Sequence, residues 1–548
     1  MAHALAGKPV QEQDIIDVQT IVDAYFDNVP DVTNPTQLVS FGTSGHRGTS
    51  VDGTFTDLHV AAITQAICDS RKQFGATGPI FVGQDTHALS QPALVTVLEV
   101  LAGNGVTAMV DCDMDFVPTP SVSRAIIRYN EEHDDKADGI IITPSHNPPD
   151  NGGIKYNTII GGPADTVVTK WIEMRANEYL TAYCESEDFK RISIDNIEPS
   201  AQVPYDYKGL YVEELGDVIN MEAIKAAGPK VLVDTLGGSG ASYWNAIKER
   251  YGLDLTIIHD DYDPTFSFMT YDHDGKVRMD CSSTYVMASV INRIGDFDLA
   301  VGNDPDYDRY GIVVSSGLIS ANTFLTLAAR YLFTTRGWKN KGVGKTVVCT
   351  TMIDKWAADA ETPVFEVPVG FKYFSQLLFD GAIGIGGEES AGASFLKKDG
   401  TVWTTDKDGM IMALLSMEIM AVMGKSALKM ADESLEEFGN PSFGRIDAPC
   451  KKEQKQILKQ MSAELITATT VDGDPITNIR ATSLYNDMPI DGVRVETDKG
   501  WFVARPSGTE DLYKIYGESY KGDLGLVALL TAGEEIVNAA LNGTIETE

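Results

Sequence analysis

The chain has 548 residues, of which 43% are hydrophobic, so it is long enough to form several domains that each bury a core. Its formal charge of −35 excludes nucleic acid and an anionic membrane as favoured partners, because the long-range field repels both. The six cysteines form no CxxC pair, and the N-terminus lacks a signal pattern. These features predict a cytoplasmic enzyme with reduced thiols.

Short apolar runs alternate with helical patterns, which predicts repeated α/β units with buried, mostly parallel sheets. In chain order, the predicted strands are 80–83, 108–111, 139–143, 230–234, 254–258, 298–301, 346–350 and 364–367. The predicted helices among them are 61–74, 91–104, 121–128, 241–250 and 285–294. The apolar run 410–423 is too short to cross a bilayer and contains Ser416 and Glu418, so a buried helix bounded by Gly409 and Gly424 is predicted.

Polar stretches with proline, near 196–207, 315–322 and 432–449, divide the chain into four segments. The predicted domains are 1–205, 206–324, 325–441 and 442–548. The first three are predicted to be α/β domains. The last is predicted to be a smaller α+β domain, with helices at 452–468 and 523–541 and strands at 492–497, 500–504 and 512–518.

The strongest chemical motif is Thr-Pro-Ser-His-Asn-Pro-Pro at 143–149, which directly follows a predicted strand. Parallel α/β sheets place reactive groups at this strand end, and the prolines stiffen a turn that presents Ser145. The alternative is that Ser145 only caps the next element. His146 is not by itself a general base, since adjacent side chains in an extended backbone point in opposite directions. A hydrolase triad is therefore not implied.

The second motif is Asn-Asp-Pro-Asp-Tyr-Asp-Arg at 303–309, after the predicted strand 298–301. Alternation in an extended backbone would place Asp304, Asp306 and Asp308 on one side, where three carboxylates repel one another unless a hard cation joins them. Arg309 can offset part of their charge and can meet a phosphoryl oxygen. The alternative is a solvated acidic loop.

Two further loops carry groups suited to a phosphosugar. Gly-Gly-Glu-Glu-Ser-Ala-Gly at 386–392 can bind adjacent sugar hydroxyls, or it can be the N-terminus of a helix with Glu in its first turn. Arg-Pro-Ser-Gly-Thr-Glu at 505–510 combines a guanidinium, hydroxyls and open backbone N–H groups in a phosphate cradle, or it is a simple hairpin turn. Seven cations lie near these loops, which is the local concentration that an anionic substrate needs: Arg47, Lys155, Arg309, Lys372, Lys407, Arg505 and Lys514.

Two glycine-rich stretches do not match nucleotide motifs. Gly-Val-Gly-Lys-Thr at 342–346 lacks the earlier P-loop glycine and is predicted to precede a strand. Gly-Gly-Ser-Gly at 237–240 lacks the dinucleotide spacing and is predicted to be a tight strand-to-helix turn.

The four loops, in this order and one per segment, resemble the α-D-phosphohexomutase superfamily, in particular its bacterial phosphoglucomutases. The resemblance covers nearly the whole chain. It implies three similar mixed-sheet α/β domains and a smaller C-terminal α+β domain around a central cleft.

The resemblance also implies a role for each matching residue. Ser145 corresponds to the phosphorylated serine, and Asp304, Asp306 and Asp308 with the Ser145 phosphoryl group correspond to a Mg²⁺ site. Arg47, Lys155, Arg309 and Lys407 correspond to cations around the transferring group, with the general acid/base open between the two lysines. The residues expected to bind the sugar and the non-reacting phosphate are Gly370, Lys372, Glu388, Ser390, Arg505, Ser507, Gly508, Thr509 and Lys514. Tyr307 and Tyr310 depart from the family only at spacer positions.

The implied reaction interconverts glucose 1-phosphate and glucose 6-phosphate through glucose 1,6-bisphosphate, which serves as intermediate and activator. The expected partner is a small phosphosugar, with the chain a monomer or a dimer. A phosphomannomutase or phosphoglucosamine mutase is the main alternative. A hydrolytic phosphatase and a non-catalytic phosphosugar-binding protein are further alternatives.

Overall fold

The computed structural model describes residues 2–42, 44–184, 189–463, 466, 468–508 and 512–542. The chain forms two compact units. Unit 1 contains Met1–Ser320, Ser375–Gly381 and Ser390–Leu428, and unit 2 contains Ala321–Phe374, Ala382–Glu389 and Lys429–Glu548.

The first segment of unit 1 is a six-stranded mixed sheet with helices on both faces. Apolar side chains fill both faces of its central strands, as expected for a sheet covered by helices. The strand order is β1-β5-β4-β2-β3-β6, with β1 and β5 antiparallel to their neighbours. Its elements are α1 (Val18–Asp27), β1 (His46–Thr49), α2 (Asp57–Ser70), β2 (Ile80–Gln84), α3 (Ser90–Gly103), β3 (Ala108–Asp111), α4 (Thr119–Glu132), β4 (Asp138–Ile142), β5 (Asn151–Asn157), α5 (Thr166–Cys184) and β6 (Gln202–Tyr205).

The second segment of unit 1 has a five-stranded sheet in the order β11-β10-β9-β7-β8. Its core strands β7 and β9 are parallel, whereas β9 and β10 form an antiparallel pair joined by a tight turn. The elements are α6 (Tyr207–Val218), α7 (Met221–Ala227), β7 (Val231–Asp234), α8 (Ala241–Tyr251), β8 (Leu255–Ile258), α9 (Ala288–Ile291), β9 (Leu299–Asn303), β10 (Tyr310–Val314) and β11 (Gly317–Leu318).

The N-terminal residues lie on this second segment. Val10 N donates to Met269 O, His3 N donates to His273 O, and Leu5 packs into the core around Met269. The first ten residues were predicted to belong with the first domain, but these bonds place residues 3–10 on the second segment.

The third segment begins in unit 2, where β12 pairs in parallel with both β13 and β14. The elements of this segment are α10 (Ala321–Arg336), β12 (Gly342–Thr346), α11 (Met352–Asp359), β13 (Val364–Val367), α12 (Lys372–Phe379), β14 (Ile383–Gly387), β15 (Ala393–Phe395), α13 (Gly409–Met423) and α14 (Ala427–Phe438). The predicted buried helix is α13. It begins at the Asp408 cap and ends at Gly424, which has φ +62°.

The C-terminal segment of unit 2 is a six-stranded antiparallel sheet in the order β16-β21-β20-β19-β18-β17. Helix α16 covers one face, where Leu530 and Val537 join a core with Ile515. This helix is long and apolar enough to cross a membrane by length and composition alone, but its buried side covers the sheet. The elements are β16 (Ser442–Pro449), α15 (Lys452–Lys459), β17 (Thr470–Val471), β18 (Asp474–Thr482), β19 (Pro489–Thr497), β20 (Gly500–Pro506), β21 (Leu512–Ser519) and α16 (Gly522–Leu541).

Candidate active site

Ser145 lies in the loop that joins β4 to β5. The two strands pair antiparallel, and Thr143 N donates to Gly153 O at 2.9 Å, so the loop is closed at its base. Ser145 has φ +60°, a left-handed conformation that is uncommon for residues other than glycine. Its backbone N–H donates to Thr143 Oγ1 at 2.8 Å. The side chain is buried.

The three aspartates lie in the turn between β9 and β10. Tyr307 N donates to Asp304 O at 2.9 Å, and Arg309 N donates to Asp304 Oδ1 at 2.9 Å. Tyr307 itself is left-handed, with φ +62°. The prediction that alternation in an extended strand aligns the carboxylates is therefore wrong, because a tight turn brings them together.

The serine and the aspartates meet within unit 1. Ser145 Oγ donates to Asp304 Oδ2 at 2.9 Å. One carboxylate oxygen from each of Asp304, Asp306 and Asp308 lies within 4.8 Å of the others, and all three side chains are buried. Burial, with repulsion from Asp306 and Asp308, raises the pKa of Asp304 well above its ordinary value.

Two lysines offset part of this negative charge. Lys155 on β5 donates from Nζ to Asp306 Oδ2 at 2.6 Å and to Asp308 Oδ2 at 3.1 Å. Lys407 Nζ lies 2.9 Å from the same oxygen of Asp308. Burial would raise the pKa of Asp308, but Lys155 and Lys407 together hold it well below the ordinary value. Burial opposes a charged Lys155, yet Asp306 and Asp308 raise its pKa above the ordinary value.

Two arginines complete the cationic surroundings. Arg309 Nη1 pairs with Asp280 Oδ2 at 3.3 Å. Arg47 on β1 donates to Asn147 Oδ1 at 3.2 Å, so it contacts the Ser145 loop. Strands β1, β5 and β4 are adjacent in the sheet, which explains why Arg47, Lys155 and Ser145 lie at the same end.

The aspartate group fits a hard divalent cation. Carboxylate and hydroxyl oxygens are the donors that such cations prefer. Among the described residues, Oδ1 of Asp306 and Oδ1 of Asp308 are buried without a hydrogen-bonding partner. Buried acceptors of this kind are costly unless a cation or donor satisfies them.

Unit 2 holds the predicted phosphate cradle. Arg505 and Pro506 end β20, and the β20–β21 register places Lys514 directly opposite Arg505. Ser507 is buried and its N–H donates to Leu512 O at 2.8 Å, whereas Gly508 is exposed. Thr509 lies outside the described residues.

The remaining predicted sugar-binding residues lie in or next to helix α12 and strands β14 and β15. In unit 2, Gly370 precedes α12, Lys372 is the first residue of α12, and the buried Glu388 follows β14. In unit 1, Ser390 lies in a turn that ends at β15, next to Ala391, whose carbonyl accepts from Tyr310 N at 3.1 Å. The alternative that 386–392 begins a helix is wrong, because 386–387 belong to β14 and the rest is a turn.

The chain matches family models in four successive stretches. Phosphoglucomutase/phosphomannomutase alpha/beta/alpha domains I, II and III match residues 38–182, 210–317 and 320–438, and the C-terminal domain matches 448–524. A phosphoglucomutase from Komagataeibacter xylinus is 46% identical over 539 residues, which cover 97% of each chain. The chain belongs to the phosphoglucomutase/phosphomannomutase family.

More distant family members share the same architecture. Phosphoglucomutase 1 from Saccharomyces cerevisiae is 26% identical over 90% of each chain. The open form of the Paramecium phosphoglucomutase parafusin has a TM-score of 0.71 at 20% identity, covering 94% of this chain and 96% of that one. A phosphoglucomutase/phosphomannomutase family protein from Burkholderia thailandensis has a TM-score of 0.69 at 21% identity, covering 92% and 99%. The predicted superfamily and the fold class of three α/β domains with a smaller C-terminal domain are confirmed.

Two residues that contact the candidate site were not predicted from the sequence. Asp280 pairs with Arg309, and Thr119 Oγ1 donates to Asp306 Oδ2 at 2.7 Å. No local pattern marks either residue, since each reaches the site from a distant part of the chain. His146 Nδ1 lies 3.3 Å from Ser145 Oγ, within reach because the left-handed Ser145 breaks the assumed alternation. Burial and the charge of Arg309 lower the pKa of His146 well below its ordinary value.

Proposed function

We propose that the chain is a phosphoglucomutase that interconverts α-D-glucose 1-phosphate and glucose 6-phosphate. The observation that carries the proposal is the 2.9 Å contact between the buried hydroxyl of Ser145 and Asp304, inside a group of three aspartates and two lysines. Extensive identity to a relative named phosphoglucomutase supports the choice of reaction.

Ser145 carries the transferred phosphoryl group in this proposal. The phosphorus–oxygen bond to Ser145 breaks as a bond to one sugar hydroxyl forms, which gives glucose 1,6-bisphosphate and frees the serine oxygen. The intermediate then turns over and returns its other phosphoryl group to Ser145. The net result moves phosphate between C1 and C6, and the hydroxyl proton is exchanged with an acid/base group.

Asp304, Asp306 and Asp308, with the Ser145 phosphoryl oxygen, would hold Mg²⁺, which supplies charge neutralisation for the transferring group. Arg47, Arg309, Lys155 and Lys407 add fixed positive charge around the same group. A lysine that accepts a proton near neutral pH needs a lowered pKa, whereas Asp306 and Asp308 raise that of Lys155. The acid/base therefore stays open between Lys155 and Lys407.

The remaining predicted residues would bind the substrate away from the reacting centre. Glu388 and Ser390 would accept from and donate to sugar hydroxyls, assisted by Gly370 and Lys372. The cradle would bind the non-reacting phosphate through Arg505, Ser507, Gly508, Thr509 and Lys514. A bidentate guanidinium beside an ammonium and a hydroxyl suits a phosphate dianion.

The experiment is a coupled mutase assay on the purified chain and on Ser145→Ala, with the intact mass of both proteins. We expect the natural chain to interconvert the two glucose phosphates and to carry one phosphoryl group on a fraction of molecules. Ser145→Ala is expected to lose both. Normal turnover by this variant would contradict the proposal, and so would turnover unaffected by a chelator.

Sugar preference is tested by relative kcat/KM on glucose, mannose and glucosamine 1-phosphates. We expect glucose 1-phosphate to be preferred, and a preference for mannose 1-phosphate would favour the phosphomannomutase alternative. Release of inorganic phosphate at the rate of isomer formation would instead indicate a phosphatase. We further propose a cytoplasmic enzyme that acts on a small phosphosugar as a monomer or dimer.

A further inference from the structure

A buried polar network lies directly beside the Ser145 loop, and the reaction described above does not use it. Asp85 follows β2 and is fully buried. Its Oδ2 accepts from Thr143 Oγ1 at 2.6 Å and lies 2.8 Å from His87 Nδ1. Its Oδ1 accepts from Ser90 Oγ at 2.6 Å and from His87 N at 3.0 Å. Burial would raise the pKa of Asp85, but His87 and these donors hold it below its ordinary value.

The network holds the loop on both sides of Ser145. On the N-terminal side, Thr143 Oγ1 donates its proton to Asp85 and accepts the backbone N–H of Ser145 at 2.8 Å. On the C-terminal side, His87 Nε2 lies 3.0 Å from the carbonyl oxygen of Asn147. Asp85 thus fixes the two residues that lie two positions before and two positions after Ser145. It holds Thr143 through the threonine hydroxyl and Asn147 through the imidazole of His87.

The fixed positions of Thr143 and Asn147 matter because the backbone of Ser145 is left-handed, with φ +60°. A non-glycine residue in this region costs of order 1 kcal/mol or more, so it persists only where its surroundings determine it. Relaxation of the loop would move Ser145 Oγ away from Asp304 Oδ2, which it now meets at 2.9 Å. Displacement of a reacting atom by about 1 Å can cost roughly 10²-fold in rate.

We propose that Asp85 and His87 are positioning residues for phosphoryl transfer, which clamp the loop so that the Ser145 oxygen stays in line with the acceptor. This inference rests on the proposed role of Ser145. It predicts a loss in kcat with little change in KM, because the network contacts the Ser145 loop itself, at Thr143 and Asn147.

The first test compares Asp85→Asn with Asp138→Asn. Asp138 begins β4, at the opposite end of the strand from Ser145, and it is equally buried and bonded to Arg71 and Tyr156. We expect Asp85→Asn to lower kcat about 10-fold to 100-fold and to leave the KM for glucose 1-phosphate within about twofold. Asp138→Asn is expected to lower the melting temperature but to keep kcat within about twofold of the natural value.

The second test uses Thr143, in case Asp85→Asn does not fold. Thr143→Val removes the bridging hydroxyl at nearly constant shape, and Thr143→Ser keeps it. We expect Thr143→Val to reproduce the loss in kcat and Thr143→Ser to restore most of it. The rate at which phosphoserine enzyme loses phosphate to water should rise in Asp85→Asn, because a displaced phosphoryl group is less well shielded.

Natural kcat in folded Asp85→Asn and in Thr143→Val would overturn the inference. Equal losses of kcat in Asp85→Asn and Asp138→Asn would also overturn it, since both would then act through stability. These outcomes are separate from failure of the proposed function, which would show as mutase activity in Ser145→Ala.

Discussion

Lys155 has two opposed effects at the candidate site. Its ammonium contacts Asp306 and Asp308, so it stabilises the carboxylates and also competes with any cation that binds them. At close range such a charge is worth on the order of 1 kcal/mol or more even where water screens it partly. Removal of the Lys155 charge should therefore raise the affinity for a metal ion and lower the catalytic rate.

Replacement of Lys155 by Met is expected to strengthen Mg²⁺ binding by about threefold or more, because the carboxylates lose a competing positive charge. The same change should lower kcat by roughly 10²-fold or more, because a cation beside the transferring phosphoryl group is lost. Calorimetric titration with Mg²⁺ and the mutase assay measure the two effects. Lys208→Met is the control, since Lys208 pairs with Asp115 instead. Weaker Mg²⁺ binding in Lys155→Met would contradict this account.

Two buried histidines make the stability of unit 1 depend on pH. His46 and His59 stack with ring centroids 5.2 Å apart, and both are buried. Burial lowers the pKa of His46 to about 4 and that of His59 to about 3 from the ordinary 6.5. The folded chain therefore excludes a proton that the unfolded chain binds below pH 6.5.

The free energy of unfolding should fall as pH decreases from 6.5 to about 4, by up to roughly 1.4 kcal/mol per pH unit for each histidine. This stability is fully present above pH 6.5. Urea unfolding at pH 7.5, 6 and 5 measures the slope. His59→Gln should have a shallower slope than the natural chain, whatever its stability at pH 7.5, and an unchanged slope would contradict the assignment.

At the scale of elements, the buried parallel strands were the most predictable feature. The strand predicted at 108–111 is β3, and that at 364–367 is β13, because continuous apolar runs mark strands covered on both faces. The polar strands β1, at the edge of the sheet, and β5, between β1 and β4, carry no such signal, so they were not predicted. The helix predicted at 285–294 is reduced to α9, Ala288–Ile291. The helix predicted at 452–468 begins as α15, Lys452–Lys459, and its residues 464, 465 and 467 lie outside the described residues.

The strand predicted at 346–350 is wrong, since β12 is Gly342–Thr346. Its glycines were predicted to precede the strand. A Cβ on Gly342 would lie 2.2 Å from the ring of Phe365, and one on Gly344 would lie 2.9 Å from the ring of Phe374. These glycines are thus strand residues that make room for aromatic rings, which a single sequence does not reveal.

Helix α13 supports the aspartate turn through its first residue. Gly409 N donates to Tyr307 O at 2.9 Å, and a Cβ at Gly409 would lie 2.0 Å from Arg309 O. From the sequence, Gly409 was predicted only to bound a buried helix. The close backbone contact with the turn became visible only in the fold.

Gly409→Ala is expected to destabilise unit 1 by about 1 to 3 kcal/mol, because backbone atoms must move to accept the methyl group. It should also weaken Mg²⁺ binding, because the turn that holds the aspartates shifts. Denaturant unfolding and calorimetric titration measure these changes. Gly216→Ala in α6 is the control: its nearest atom would be 4.0 Å away, so stability should be unchanged or rise by up to about 1 kcal/mol. Equal behaviour of the two variants would contradict the explanation.

At the scale of the whole molecule, the negative charge contrasts with the cations at the site. The chain carries −35 formally, yet Arg47, Lys155, Arg309 and Lys407 converge on one group in unit 1. This combination suits a small anion that must be bound locally, whereas polyanions are repelled at long range. The sequence predicted this contrast from loop positions alone, because charge depends little on the details of the fold.

The two compact units lead us to expect unfolding in more than one step. Leu414 is fully buried in unit 1 and Phe502 in unit 2. Leu414→Ala and Phe502→Ala should each cost about 2 to 5 kcal/mol in their own unit. Differential scanning calorimetry should then show each variant lowering a different transition. A single transition that both variants lower equally would mean that the units unfold together.

The contact between Ser145 Oγ and Asp304 links the phosphorylation state of Ser145 to the binding of a divalent ion. A phosphoryl group on this oxygen would bring about two further negative charges next to three buried carboxylates. Phosphorylation of Ser145 must therefore raise the affinity of the site for a divalent ion, and a bound ion must in turn stabilise phosphoserine. Removal of the phosphoryl group or of the ion weakens the binding of the other. Dephosphorylated enzyme should therefore bind a divalent ion more weakly than phosphorylated enzyme, and a chelator should remove the ion more easily from the dephosphorylated form.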